Sequence, residues 1–531
     1  MASDRRFFWI ALIVLLLNAS AGWAKDTQFS KTSTQQSEIV SNLVAAESES
    51  GGAVESGEHE GMGHTLPLWS IIPFVGILLS IAIFPLVAEH FWHHHFGKIS
   101  AFWALLLAIP FIYAYQGEAV HEILHVYLLE YIPFIILLWA LFTISGGILI
   151  EGAPVGVPTN NLILLMIGTA LASWIGTTGA AMVLVRPLIK MNQYRKSKVH
   201  LIVFFIFLVA NVGGSLTPLG DPPLFLGFLH GVEFFWTFKI FTEMAFVVVV
   251  LLLVFYIWDS MMFRKEGWHE KMHLIGSHFD MPDDVADEVL VEEEVELENA
   301  KTHKKQIKTY RMRIKGLFNI LFLLGVIGGV LFSGYVHLGE VTLLGIHMHW
   351  QNIVRDVFLI AMGLLSLKLT PWEYRKGNDF NWFPITEVAK LFAGIFITII
   401  PAIAMLKAGT TGHLKPIIEA VEEPWHYFWI TGSLSSFLDN APTYLVFLNT
   451  AMGKFGQPVQ WLMTEGAIYL KAISTGAVFF GAMTYIGNAP NFMVKSIAEQ
   501  SGIKMPSFFG YMAYSLVLLG VTFFFVTLIF F

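Results

Sequence analysis

The sequence predicts an all-α polytopic membrane protein, on the evidence of its composition, its long apolar stretches and its internal similarity. Of the 531 residues, 55% are hydrophobic and only 14% are charged, and the mean hydropathy is +0.63. A soluble domain would carry about 25% charged residues. The expected architecture is two inverted-topology repeats, each with a re-entrant helical hairpin and a broken transmembrane helix, or about ten spans plus two hairpins.

The composition also excludes several kinds of chemistry. The chain has no cysteine, which rules out disulfides, thiol nucleophiles and Cys-ligated metals. Its 40 acidic residues outnumber its 32 basic residues, which argues against a nucleic-acid partner. The remaining candidates for chemistry are Asp, Glu, His, Asn, Ser and Thr side chains and backbone groups.

The amino terminus carries the pattern of a secretory signal. Arg5 and Arg6 precede an apolar run, Phe7–Leu17, which is too short to span a bilayer. Gly22 and Ala24 follow at the small-residue positions of a cleavage site, so residues 1–24 are predicted to be a signal peptide. Residues 25–66 are rich in Ser, Thr, Gln, Glu and Gly, which predicts a disordered exported tail.

Beyond the tail, ten apolar stretches are long enough to span the bilayer. They are Leu68–Ala88, Ile99–Tyr115, Tyr131–Ile150, Leu201–Leu229, Phe238–Trp258, Leu317–Val336, Ile353–Leu369, Val388–Leu406, Ala467–Ala498 and Phe508–Phe531. Two further stretches, Asn160–Ile189 and Trp425–Thr450, are broken midway by polar, small or Pro residues. Each half of these is too short to cross alone, so we expect two re-entrant hairpins.

The distribution of Lys and Arg predicts the orientation, because inner loops of membrane proteins are enriched in both. With the amino terminus outside, the inner loops hold 22 of these residues and the outer side holds 6. The N-terminal tail and the C-terminus are then both on the outer, periplasmic side. Residues 67–258 and 316–531 form two transmembrane halves of opposite topology, and residues 259–315 form a cytoplasmic linker with some helix.

The two halves resemble each other around the breaks. ASWIGTTGAAM, from Ala172, aligns with SSFLDNAPTYL, from Ser435, and TPLGDPPLF, from Thr217, aligns with TYIGNAPNF, from Thr484. The two matches have offsets of 263 and 267 residues, and this agreement indicates a duplication. Paired broken helices of opposite topology are typical of alternating-access transporters, whose binding site lies between the repeats near the middle of the membrane.

Proline explains why the helices break. Pro218, Pro222 and Pro223 remove backbone donors and forbid a regular helix. Unwound backbone at this depth is tolerated only where it lines a polar cavity. We therefore expect Asn211–Pro223 and Thr484–Asn491 to face the site.

Two carboxylates lie inside the breaks, Asp221 in the first half and Asp439 in the second. An acid near the middle of a bilayer is costly and is a functional candidate by default. Neutral oxygen ligands surround both acids in the sequence, and such a set suits sodium or lithium. These candidates are Thr177, Thr178, Asn211, Ser215, Thr217, Ser435, Ser436, Asn440, Thr443, Thr484, Asn488 and Asn491. Sodium is expected at the hairpin tips, near Asp439, Asn440, Thr177 and Thr178, and at the broken helices, near Asp221 and Asn488.

A shortage of basic residues in these segments favours a cationic substrate. Lys and Arg are absent from Asn160–Val185, Leu201–Leu229, Phe428–Thr450 and Ala472–Val494. A carboxylate at low dielectric tends to hold a proton, whereas a cation beside it favours the charged form. Proton and sodium would therefore exclude each other, and alternate exposure of such a site predicts antiport without a resident cofactor.

At these motifs the chain resembles the NhaD-type sodium/proton antiporters of the ion transporter superfamily (ArsB/NhaD, divalent-anion/sodium symporters). The motifs are GTTGAAM, NVGGSLTPLGDPPLF, SSFLDNAPT and GNAPNF, and the resemblance covers roughly residues 68–531. It implies sodium contacts at Thr177, Thr178, Asn440 and, through its backbone, Ala441. It also implies a multi-pass homodimer of the bacterial inner membrane that exchanges Na⁺ or Li⁺ for H⁺. The implied partners are the bilayer, these ions and a second copy of the chain.

Two alternatives remain open. Symporters of this superfamily carry Ser-Asn-Thr at both hairpin tips, whereas this chain has GTTG and DNAPT. This departure favours an antiporter, with a sodium-coupled di/tricarboxylate symporter as the alternative. His121-Glu122-Ile-Leu-His125 matches the H-E-x-x-H signature of zinc peptidases, with Asp439 as a conceivable third ligand. The other interpretation of this motif is an amphipathic outer helix, Gln116–Glu130.

Overall fold

The computed structural model describes residues 62–267, 289–291 and 307–531. The predicted signal peptide and the predicted tail as far as residue 61 lie outside the described residues. Residues 62–65 form a helical turn, and Met62 and Leu66 are buried. The packed structure therefore includes residues that the sequence assigned to the tail.

The described chain is almost entirely helical, so the prediction of an all-α polytopic membrane protein is confirmed. The first half contains α1 (Ile72–Val87), α2 (Glu89–Val126), α3 (Ile132–Ser145), β1 (Leu149–Ala153), α4 (Pro158–Ile175), α5 (Thr177–Met191), α6 (Val199–Leu208), α7 (Pro222–Leu229) and α8 (Phe241–Lys265). It also contains 3₁₀-helices at Leu68–Ile71, Val212–Leu216 and Phe234–Ile240 and a π-helix at Tyr127–Tyr131. The connecting segment contributes β2 (Val289–Val291) and β3 (Ile307–Lys315).

The second half repeats this plan with additional short helices. It contains α9 (Asn319–Tyr335), β4 (Glu340–Leu343), β5 (Ile346–His349), α10 (Trp350–Leu369), α11 (Trp372–Gly377), α12 (Phe383–Thr398), α13 (Ile400–Lys407), α14 (Lys415–Ala420), α15 (Pro424–Leu438), α16 (Asn440–Phe455), α17 (Val459–Met463), α18 (Ala467–Phe480), α19 (Ala489–Gln500), α20 (Phe508–Ser515) and α21 (Val521–Phe530). Short 3₁₀-helices lie at Gly409–Thr411 and Gly481–Met483, and a π-helix lies at Leu516–Gly520.

Six helical segments of the described chain are long and apolar enough to cross a membrane, or seven if α12 and α13, bent by 44°, form one span. The segment His90–Ser145 alone has 56 residues. At about 1.5 Å per residue it is long enough for two spans, and its backbone departs from helix at Gln116 (φ 46°, ψ −115°). The apolar helices α9 and α18 are shorter, and α10 carries Arg355 and Asp356.

Several boundaries differ from those read in the sequence. Helix α2 begins at Glu89 rather than near Ile99, so the histidines that follow are helical and not in a loop. Helix α8 continues to Lys265, past the predicted start of the linker. The end of that linker is a strand, β3, which pairs antiparallel with β1 and β2.

The aligned motifs of the two halves have the same local geometry. The hairpins α4–α5 and α15–α16 each turn at one residue, Gly176 (φ 79°, ψ 148°) and Asp439 (φ 73°, ψ 139°). Thr217 and Thr484 are both extended and each donates a hydroxyl hydrogen bond to the carbonyl of an equivalent serine. The backbone thus follows the same path at both offsets found in the sequence. The opposite orientation of the two halves in a membrane stays a prediction.

The first broken helix lies at the centre of the protein. Of the window Val199–Leu216, 94% is buried inside the chain, compared with 28% for the C-terminal span Phe508–Phe530. Breaking a helix in the interior exposes backbone donors and acceptors that only protein groups can satisfy. The breaks are therefore where polar side chains are required.

Glycines allow the backbone to cross itself tightly at each break, which yields a first prediction. A Cβ at Gly220 would lie 2.0 Å from the carbonyl oxygen of Gly214. We expect Gly220→Ala to destabilise the protein by about 1–3 kcal/mol or more, because two backbone segments would have to separate. The measurement is the thermal unfolding midpoint in detergent. The control is Gly328→Ala on α9, where a Cβ meets nothing within 4 Å. Equal midpoints for the two variants would contradict the prediction.

Candidate functional site

The carboxylate of Asp221 lies where both hairpin tips and both helix breaks meet. Thr177 Oγ1 donates to its Oδ1 at 3.0 Å, Asn488 Nδ2 donates to Oδ1 at 2.9 Å, and Asn440 Nδ2 donates to Oδ2 at 2.5 Å. Asp221 is 1% exposed. These four residues, Asp221, Thr177, Asn440 and Asn488, are called the Asp221 hub below. The hub takes one residue from each hairpin and one from each break.

The local sequence explains why the Asp221 carboxylate is available to accept hydrogen bonds from other parts of the hub. It occupies the N-cap of α7, and Pro222 and Pro223 begin the helix without needing backbone donors. An aspartate at this position ordinarily accepts a hydrogen bond from its own helix. Asp221 makes no such capping bond. Its carboxylate instead points to the second hairpin and the second break.

A chain of amides extends the hub between the two breaks. Asn488 Nδ2 also contacts Asn211 Oδ1 at 3.2 Å, and Asn211 Nδ2 donates to Asn491 Oδ1 at 2.7 Å. Asn491 then donates to the carbonyls of Gly481 and Thr484. Four amide and carboxylate side chains from the two halves are thus connected without any charged donor.

Asp439 lies at the tip of the second hairpin. Its carboxylate accepts a bond from the Ala441 backbone N–H at 3.2 Å and so caps α16. It also lines a cavity of about 480 Å³, together with Asn488 of the hub. The cavity extends to Asp379, whose side chain is 76% exposed, and therefore opens at the end that carries the predicted cytoplasmic loops.

A second, smaller cavity lies at the first hairpin tip. Its volume is about 60 Å³, and Thr177, Thr178 and Asp221 line it. This is room for about two water molecules. Near the hub, Asn440 Oδ1 is buried and has no hydrogen-bond partner in the described part of the chain. Carboxylate, hydroxyl and amide oxygens of this kind are the ligands that hard cations prefer.

Most of the other predicted hydroxyl ligands are used elsewhere. Each donates its hydroxyl to a backbone carbonyl near the breaks and so stabilises the unwound chain. The pairs are Ser215 with Val212, Thr217 with Ser173, Thr443 with Asp439, Ser435 with Ala477, Ser436 with Gly432 and Phe480, and Thr484 with Ser436. The structure therefore brings Asp221, Asn440, Thr177 and Asn488 together. The hydroxyls listed above instead stabilise the backbone around the site.

The larger cavity contains a basic residue from outside the segments that lack Lys and Arg. Arg186 lines it together with Asp439. Its Nε lies 3.1 Å from Asp379 Oδ2, and its buried Nη1 has no partner among the described residues. Arg186 comes one residue after the segment searched for basic residues. Helix α5 carries its side chain to the open end of the cavity.

Glu387 lines the same cavity and was not among the predicted residues, and His93 lines it as well. The indole of Trp92 lies beside the Glu387 carboxylate. The available signal was a glutamate directly before the predicted span Val388–Leu406. Helix α12 in fact begins at Phe383, so Glu387 belongs to the span.

The H-E-x-x-H motif lies on α2, where the rings of His121 and His125 are 6.4 Å apart. Across residues 62–267, 289–291 and 307–531, no group of three or more His, Asp or Glu side chains could hold a metal ion. A zinc peptidase needs a third protein ligand. Among the described residues, no third zinc ligand therefore lies beside this motif. Asp439, the conceivable third ligand, lines the larger cavity instead.

The chain matches a known protein family. A family model described as "Putative citrate transport" matches residues 63–531. No curated protein matches the chain. The matched region includes both hairpins, both breaks and the two cavities.

Proposed function

The chain belongs to this family of citrate and ion transporters, CitMHS_2, and from that premise we propose that it exchanges Na⁺ or Li⁺ for H⁺ by alternating access. In this proposal it works as a homodimer in the bacterial inner membrane. Asp221 and Asp439 carry the coupling between cation and proton. No resident cofactor takes part.

The observation that carries the proposal is the set of partners around Asp221. Its three donors are a hydroxyl and two amides, all neutral. A buried carboxylate with neutral donors keeps an uncompensated negative charge, which in a membrane favours binding of a cation or a proton. The hub can therefore hold either occupant, and neutral carbonyl and amide oxygens nearby complete a cation site.

Exchange follows from this competition. Arrival of Na⁺ at the carboxylates favours release of a proton, and arrival of a proton favours release of Na⁺. The larger cavity gives Asp439 access to one side of the membrane. Asn440, at the hairpin tip, contacts Asp221 across the two halves, so a movement of the hairpin that opens the other side would change the hub directly.

A second candidate function is sodium-coupled di/tricarboxylate symport. Arg186 favours it, because this residue lines the larger cavity and its buried Nη1 has no partner in the described chain. A guanidinium is well suited to bind a carboxylate. The description of the matching family points the same way.

Sodium-evoked proton flux in reconstituted vesicles distinguishes the two functions. The full-length chain is placed in liposomes with an imposed pH gradient and a fluorescent pH indicator, and NaCl, LiCl or KCl is added. We expect NaCl or LiCl alone to dissipate the gradient, since the hub needs only a cation and a proton. Arg186→Gln should retain this flux, because Arg186 lies outside the hub.

The opposite results have clear meanings. A response that requires citrate or succinate, and that disappears in Arg186→Gln, would replace antiport by symport. An activity that is lost only with a zinc chelator, while Asp221→Asn retains it, would favour a peptidase. Empty liposomes give the passive leak against which each flux is measured.

A further inference from the structure

Glu387 lies on the helices that surround the hub rather than in a hairpin or a break. It is the fifth residue of α12 and lines the larger cavity with Asp439. The buried indole of Trp92, from α2, lies beside its carboxylate at the cavity wall. Within the described residues no ion pair joins Glu387 to a basic side chain. It is therefore a carboxylate in a cavity open to one side, with a neutral indole as its neighbour.

Glu387 differs in its interactions from the other charged and titratable side chains of the larger cavity. The other titratable or charged side chains that line the cavity are His93, Arg186, Asp379, Tyr485 and Asp439. Asp379 is paired with Arg186 at the exposed end, and Asp439 caps α16. Glu387 is thus the carboxylate of this cavity that neither pairs with a base nor caps a helix.

Two nearby lysines do not compensate Glu387. Lys495, on α19, pairs with Glu499 and lies over the rings of Tyr485 and Phe492. Lys390, on α12 itself, lies over the ring of Phe96.

The first half also has a glutamate close to the start of the corresponding span. Glu130 is the fourth residue of the π-helix Tyr127–Tyr131, which precedes α3 as the start of the corresponding span. It is buried, and its Oε2 has no partner in the part of the chain that the structure describes. Its Oε1 lies 3.5 Å from Nε2 of His230, at the end of α7. Short π-helical turns are frequent at functional sites.

The two elements have comparable neighbours in the fold. The π-helix packs against α7, and α12 packs against α19, which is the counterpart of α7 in the second half. Besides His230, the titratable groups close to Glu130 are Tyr127 and Tyr131, whose hydroxyls donate to carbonyls of α12. The predicted topology places Glu387 at the inner mouth of the ion path and Glu130 at the outer mouth.

We propose that Glu387 and Glu130 are the proton-exchanging carboxylates of the two mouths. Glu387 passes protons between Asp439 and the inner water, and Glu130 does the same for the outer side when the path opens there. In each transfer the carboxylic acid gives its proton to a water molecule or to the Asp439 carboxylate and becomes a carboxylate, and no other bond changes. The proposal rests on the proton-coupled function above. One glutamate lines an open cavity while the other is buried against His230, as expected if one mouth opens at a time.

Side-specific pH profiles test the proposal. Everted and right-side-out membrane vesicles containing the full chain are used, and sodium-evoked proton flux is measured while the pH is varied on one face only. Glu387→Gln should lower the flux by about tenfold and flatten its dependence on cytoplasmic pH, because the relay carboxylate is lost. Glu130→Gln should flatten the dependence on pH at the opposite face. The control is Glu419→Gln, an exposed residue paired with Lys415, which should leave both profiles unchanged.

Profiles of Glu387→Gln and Glu130→Gln that match the wild type would overturn the proposal. Trp92→Phe provides a second variant, which keeps the Glu387 carboxylate but removes the neighbouring indole N–H. It should displace the cytoplasmic pH profile, and an unchanged profile would count against the relay even if Glu387→Gln fails to accumulate. Wild-type vesicles without sodium-evoked flux would instead overturn the proposed function itself.

Discussion

Asp221→Asn is expected to abolish sodium-evoked proton flux while the protein still inserts into the membrane. The substitution removes the negative charge that attracts a cation or a proton to the hub. It also replaces one of the two acceptor oxygens by an amide group that cannot accept from Thr177, Asn440 or Asn488. Leaving a buried donor unpaired costs about 1–3 kcal/mol, so the unfolding midpoint should fall as well. Flux in liposomes and thermal unfolding in detergent measure the two effects separately.

The matched control is Asp356→Asn, which changes another buried acid in the same chemical way. Asp356 lies on α10 beside Arg355, and the Arg355 Nε is 2.8 Å from the Asp356 Oδ1. The contacts of Asp356 are remote from the hub. It should lower stability and leave the flux in place. Equal flux in Asp221→Asn and the wild type would show that the hub does not couple the ions.

Asp439→Gly is expected to stabilise the protein and at the same time remove transport. Asp439 has φ 73° and ψ 139°, a backbone conformation that costs a residue with a Cβ about 1–3 kcal/mol. The aligned residue of the first half, in the same conformation, is Gly176. Glycine relieves this strain, and the loss of the N-cap carboxylate costs only a few tenths of a kcal/mol when glycine replaces it. Transport should disappear because the second carboxylate of the ion path is gone.

Asp439→Ala separates strain from charge. Alanine keeps the strained backbone and loses the bond to the Ala441 N–H, which should cost about 1 kcal/mol. The unfolding midpoints should therefore rank Gly above wild type and wild type above Ala, with no flux in either variant. A glycine variant that transports sodium, or whose unfolding midpoint is lower than that of the wild type, would show that the strain at Asp439 has no link to its function.

Local chemistry made the breaks and the hairpins predictable from sequence. Pro222 and Pro490 lie in the first turn of α7 and α19, where proline prevents the helix from extending back across the break, and the aligned GTTG and DNAP motifs mark the hairpin turns. The residues of the hub, Asp221, Thr177, Asn440 and Asn488, were all candidates, since an acid, an amide or a threonine at a break in an apolar segment stands out. The prediction was less successful for Ser and Thr hydroxyls. A Ser or Thr near a break has the same appearance in the sequence whether its hydroxyl binds an ion or donates to a backbone carbonyl.

Residues that approach the site from a distance in the chain could not be predicted. Arg186 and Glu387 lie outside the segments that the motifs marked, and only the packing of α5 and α12 around one cavity brings them near Asp439. The extent of α2 and α8 was also underestimated, because charged and histidine residues at a helix end resemble a loop in a hydropathy profile.

The amino-acid sequence by itself determined that this chain is an all-α membrane protein with two broken helices and two hairpins, because apolar length, proline and glycine act within a few residues. Only the tertiary structure decided which polar groups meet. Whether a threonine faces Asp221 or a carbonyl, and whether an arginine enters the cavity, depends on how helices from both halves pack, and that packing is a property of the whole buried interior.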